Sequence, residues 1–126
     1  MPMSDDLANK IANATLRNQS YTSPATVYAA LYSTAPTVST SGTEITGNGY
    51  SRQSVTFSAP SAGSATSNVA VNWSCTGNNW PTVVAFAVTD ASTAGNIMYF
   101  KSVSSRNIVV GDTLTLDSGD LTIDIG

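Results

Sequence analysis

The chain has 126 residues, a single cysteine, no histidine, a net charge of −3 and only 10% charged residues, where an ordinary soluble domain carries roughly 25%. This length suits one core that needs neither metal nor crosslink to fold, and the lone Cys75 excludes an intrachain disulfide. The five cations, Lys10, Arg17, Arg52, Lys101 and Arg106, are scattered, which argues against a nucleic-acid surface. No apolar run approaches the ~20 residues of a membrane span, and the first residues lack the basic and then apolar pattern of an export signal. The expectation is therefore synthesis in a cytoplasm without export, and no membrane partner. The missing charge has two readings: outer strand faces rich in Thr, Ser and Asn, or a surface covered by partners, since interface cores are depleted in charge.

Ser4 followed by Asp5 and Asp6 predicts a helix start, with a capping hydroxyl and two carboxylates at the positive end of the dipole. Leu7, Ile11 and Ala14 fall on one face. A helix of about 13 residues is marginal alone, so it must dock to persist. Residues 1–23 are accordingly read as an N-terminal helical arm, and residues 24–126 as a β-sandwich domain. From residue 26 the period changes to two. The strand at 26–33 places Val27, Ala29 and Leu31 on one face and Tyr28, Ala30 and Tyr32 on the other; two apolar faces predict a strand covered on both sides.

Residues 34–49 read as a loop too long to be idle, either mobile or held by a partner. Strands are predicted at 50–57, 66–73, 83–89 and 97–103, with Val69, Val71 and Trp73 on one face of the second. Two further short strands alternate Thr with aliphatics around Leu114–Leu116 and Leu121–Ile125. Short strands separated by turn residues predict an all-β fold, an antiparallel β-sandwich or barrel-like domain. Leu31, Phe57, Val71, Trp73, Phe86, Val88, Tyr99, Leu114, Leu116 and Ile123 are its expected core.

Chemistry is sparse. Without histidine no Ser-His-Asp or Cys-His arrangement exists, and one cysteine makes no structural zinc site. Cys75 reads as a small buried hydrophobe, since no basic neighbour in sequence lowers its pKa. Asp112, Asp117, Asp120 and Asp124 crowd the C-terminal part, where acid pairs serve glycoside hydrolysis or bind calcium, but Asp112 and Asp120 sit beside glycines where Asp is a good turn former. No catalytic, cofactor or metal residue is assigned. Trp80, next to Pro81, is the aromatic expected to be most exposed.

The run from Gly42 to Phe57, Gly-Thr-Glu-Ile-Thr-Gly-Asn-Gly-Tyr-Ser-Arg-Gln-Ser-Val-Thr-Phe, resembles the Glu-Val-x-Gly-x-Gly-Tyr-x-Arg-Gln-x-Val-x-Phe signature of small bacteriophage virion proteins. These are described as tail fibre proteins, with relatives that look like capsid decoration (cement) proteins. Upstream, Val27 to Pro36 resembles the family's Val-Tyr-x-Ala-Leu-(aromatic)-Thr-x-x-Pro strand. Downstream, Trp80 with 83–91 and Gly95-Asn96-Ile97-Met98-Tyr99 resembles its Trp-x-x-Val…Asp-Ala…Gly-Asn-Leu-Leu-Tyr stretch, and 110–116 with 119–123 resembles its ending.

The resemblance implies a virion structural protein that is not an enzyme. As a capsid cement protein it would form a small homo-oligomer, a homotrimer, clamping the phage major capsid protein by burial of surface. The alternative is a tail-fibre or tail-tip component that contacts other tail proteins or binds a host surface glycan through exposed aromatics. The residues expected at interaction surfaces are Leu7, Ile11, Glu44, Arg52 and Trp80. Arg52 can satisfy several acceptors through its planar fork, and Glu44, the only glutamate, is a candidate partner; a solvated charge on an edge strand is the simpler reading of Arg52.

Overall fold

A computed structural model of the chain describes residues 1–125; the last residue of the expected 24–126 domain lies outside them. One helix, α1 (Asp5–Leu16), precedes nine strands: β1 (Val27–Thr34), β2 (Thr43–Glu44), β3 (Gln53–Val55), β4 (Ser64–Thr66), β5 (Val71–Ser74), β6 (Val83–Thr89), β7 (Ile97–Arg106), β8 (Thr113–Leu116) and β9 (Thr122–Asp124). The fold is all-β and sandwich-like, with every pairing antiparallel and no closed barrel among the described residues.

β1 is central because both its faces are apolar. It pairs with β6 along one edge and with β2 and β3 along the other, and β6 pairs in turn with β7. Leu31 stands opposite Phe86, and Ala29 opposite Val88. Ala29, Leu31 and Phe86 enter the main core, which Val55, Val71, Trp73, Leu114 and Leu121 complete from β3, the two-stranded β5–β8 ribbon and the approach to β9. Ala30, Tyr32, Ala85, Ala87 and Phe100 form a second cluster on the opposite face.

Eight of the ten expected core residues are buried; Phe57 and Leu116 are only half-buried. Both lie at the rim, Phe57 in an isolated bridge to Ser67 and Leu116 at the end of β8. The strand expected at 66–73 is broken in two. Ser67 is buried, and its Oγ accepts from the amides of Gly119 and Leu121 at 3.2 Å each. Satisfying that turn pulls residues 67–70 out of strand geometry, and Val69 is left 40% exposed. β4 starts two residues ahead of the strand expected at 66–73, after a tight turn between Ser61 and Ser64 with positive φ at Ala62 and Gly63, the backbone twist that suits a two-residue turn.

The helix forms where expected, with the Ser4 Oγ accepting from the Leu7 amide at 3.2 Å. It lies on its own sandwich: Leu7 is 3% exposed and packs with Val88, Tyr99 and Ile123, while Ile11 is half-buried beside them. Residues ahead of it run along the outer edge of β7, where the Ser4 amide donates to Met98 (2.9 Å) and the Phe100 amide to Pro2 (3.1 Å). This covers part of an edge that would otherwise offer unpaired backbone groups.

Candidate functional site

The long loop at 34–49, expected to be mobile or held by a partner, is held by its own chain. Its Ile45 is buried, and the Ile45 amide donates to Leu31 at 3.0 Å. Gly42, at φ +61°, lies where a Cβ would collide with the Thr34 carbonyl, so the loop can close only through glycine. This folding-back carries Glu44, on β2 beside Tyr32, to within reach of Arg52.

The pair is bidentate. Arg52 Nε donates to Glu44 Oε2 at 2.9 Å and Nη2 to Oε1 at 3.0 Å. Nη1 donates to the carbonyls of Ala94 (2.7 Å) and Ala91 (2.8 Å), in the turn between β6 and β7, with Thr89 Oγ1 at 3.4 Å. That turn is itself closed by the Asp90 carboxylate, which accepts from the Asn96 amide at 2.7 Å. The Tyr50 hydroxyl donates to Glu44 Oε2 at 2.6 Å and accepts from the Leu31 amide at 3.0 Å. One guanidinium therefore ties β2 to the β6–β7 turn, and Tyr50 links the same carboxylate to β1. The Arg52 side chain is 9% exposed and that of Glu44 24%, so Arg52 is an internal clamp and the solvated edge-strand reading is overturned.

Electrostatics follow from this geometry. The hydrogen bond to Glu44 raises the guanidinium pKa despite partial burial. Burial, then the bond to Glu44, pushes the Tyr50 hydroxyl well above its usual range. Burial, helped by the Glu44 charge, raises Tyr32 to about 12. All three groups keep their neutral-pH charge states in ordinary conditions.

Trp80 is not an exposed platform. It is 5% exposed, edge-on to Tyr50 with ring centres 5.7 Å apart, and its Nε1 donates to the Asn48 carbonyl at 2.9 Å. Its amide donates to Ile108, which fixes the ring inward despite the loop and Pro81. Of the five expected interaction residues, Glu44 and Arg52 meet, Trp80 buttresses Tyr50, and Leu7 and Ile11 lie apart on the helix. Sequence reading missed Tyr50 and the Ala91 and Ala94 carbonyls as partners; the adjacency of Tyr50 and Arg52 in one motif was the available signal. Outside the clamp lies an open depression of about 360 Å³, bordered by Asp6, Thr37, Thr40, Glu44, Arg52 and Asn96.

Elsewhere the acids shape turns. Asp112 Oδ2 accepts from the Val109 amide (3.1 Å) and Asp120 Oδ2 from the Asp117 amide (2.8 Å). Among the described residues no three acids, histidines or cysteines converge as metal ligands. Cys75 is buried, with its Sγ 3.2 Å from the Asn78 carbonyl.

The clamp joins the segments at 27–36, 42–57 and 83–99 that carried much of the sequence resemblance, and the family match covers these and the C-terminal part. A family model described as podophage GP4 fiber I protein gp80 matches residues 2–124. The chain belongs to this family. Its place among the podophage fibre proteins makes it a structural protein of the bacteriophage virion. No curated protein matches the chain. Within this fibre protein the Gly-Tyr-x-Arg-Gln run is a folding device, in which Gly49 approaches Ser74 and Thr76 too closely for a side chain, Tyr50 and Arg52 grip Glu44, and the β6–β7 turn is held by the same guanidinium.

Proposed function

We propose that the chain is a non-enzymatic component of the phage fibre, which assembles with further copies of itself, as a homotrimer, and with neighbouring tail proteins by surface packing. The observation that carries this reading is the clamp: the chain's only glutamate and its most enclosed arginine are consumed in internal bonds to each other, to Tyr50 and to two backbone carbonyls. The motif therefore supplies rigidity, and recognition falls to the charge-poor outer surface. Interfaces that exclude charge from their centre suit such a surface. The aromatic once expected to stack on a glycan, Trp80, is inside, which favours protein partners over a sugar.

The family's fibre description favours the fibre over the capsid shell. A cement protein bound to the major capsid protein would share the fold and differ only in partner. Gold-labelled antibody against the chain, viewed on intact particles by electron microscopy, separates the two. Label on the fibres supports the proposal; label over the shell transfers the protein to the cement role; no label on intact or partly disrupted particles removes both.

A further inference from the structure

The N-terminal segment docks on the sandwich through Met3, Leu7 and Ile11 and is joined to it by a long tether. Two backbone hydrogen bonds fix residues 2–4 to β7, and the Asp5 amide donates to the Val38 carbonyl at 2.8 Å. Leu7 is the only buried residue of α1. Residues 17–26 then cross to β1 outside any helix or strand and are mostly exposed. The amides of Arg17 and Gln19 turn back to the Asn13 carbonyl, which ends the helix, and within the tether the half-buried Tyr21 packs against the cluster around Leu7. Leu16, 82% exposed, stands at the hinge.

We propose that this segment is exchanged between copies: residues 1–16 of one chain occupy the β7 edge and the Leu7 pocket of a second. The surfaces are complementary, because the docking site accepts this same segment from its own chain. Exchange keeps every contact and adds only the cost of association, which falls when copies are concentrated in one assembly. A fully extended tether of this length spans roughly 33–36 Å, enough to reach an adjoining small domain. Passing the segment head to tail around a closed ring fills every docking site, and exchange of an identical element is a low-cost route to oligomers. The inference rests on the proposed self-association and names the surface that accomplishes it.

The test uses the full chain with Asp5→Cys and Val38→Cys, two exposed positions joined by the backbone bond described above. Heavy-isotope and unlabelled chains are mixed in equal amounts, unfolded, refolded together at high concentration, bridged with a short bifunctional thiol reagent, and alkylated before digestion, so that buried Cys75 is silent. Exchange predicts that about half of the 5–38 bridges join a heavy to a light chain. Bridges confined to single chains within an oligomer overturn the exchange while leaving the fibre proposal standing, and a chain that stays monomeric and internally bridged overturns both exchange and self-association. As a second variant, deleting residues 22–24 strains closure within one chain. It should shift the protein to oligomers with α1 still protected from hydrogen exchange; a folded monomer with α1 protected contradicts the inference.

Discussion

Replacing Arg52 with Met keeps most of the aliphatic stem and removes the fork. Glu44 then retains only the Tyr50 hydroxyl, the carbonyl of Ala94 loses its donor, and that of Ala91 keeps only the Thr89 hydroxyl. Removing one partner of a buried pair costs about 3–5 kcal/mol, mainly through the charge left behind. Glu44 keeps 24% side-chain exposure and Ala94 is exposed, so water reaches part of the wound and the low end, about 3 kcal/mol, is expected. Glu44→Gln removes the charge and replaces one accepting oxygen with an NH2 group that faces an Arg52 or Tyr50 donor, costing about 1–3 kcal/mol. The double variant should cost less than the sum, with a coupling of about 1–3 kcal/mol. Urea unfolding followed by tryptophan fluorescence measures all four chains, and equal denaturant slopes would confirm that only stability changed. A loss below about 1 kcal/mol for Arg52→Met, together with additivity in the double variant, would show that the pair is a solvated surface contact and refute the clamp.

Phe86→Ala should cost about 3–5 kcal/mol in the same assay, because Phe86 opposes Leu31 in the main core; a loss under about 1 kcal/mol would contradict that packing. Ser67→Ala should cost about 1–3 kcal/mol by stranding the amide of Leu121, while Gly119 keeps the Ser67 carbonyl at 2.8 Å; the loss is read as faster hydrogen exchange at Leu121. Stability should be flat with pH through the neutral range and fall between about pH 10 and 12. The raised Tyr32 pKa, about 12, means the folded chain holds a proton that the unfolded chain releases near 10, so stability is complete below the unfolded value and is lost as pH rises through the folded one. Tyr32→Phe should flatten that part of the alkaline titration, and an unchanged slope would assign it to other groups.

Local pattern was enough to read β1, β6 and β8, because alternation of side chains is a property of the strand itself, and the Ser4 cap was readable because its partner lies three residues on. The break at Ser67 was not readable: alternation continues through Val69, and the amides that capture Ser67 arrive from more than fifty positions away. Trp80 misled for a similar reason, since its neighbours Asn79 and Pro81 mark a loop while its burial depends on Tyr50 and Asn48. Glu44 and Arg52 could be named from rarity and from the motif, but their meeting depends on the 34–49 loop folding back, which only Ile45 and Gly42 foreshadowed.

The central claim is that this chain is a built-in part of the phage fibre, and the most direct measurement is its copy number in purified particles relative to the coat protein, by quantitative mass spectrometry. The account predicts that the chain is present through stringent purification at a small fixed fraction of the coat subunits. Near-stoichiometric abundance with coat protein would place it on the shell, and absence from purified particles would contradict a virion role for this chain.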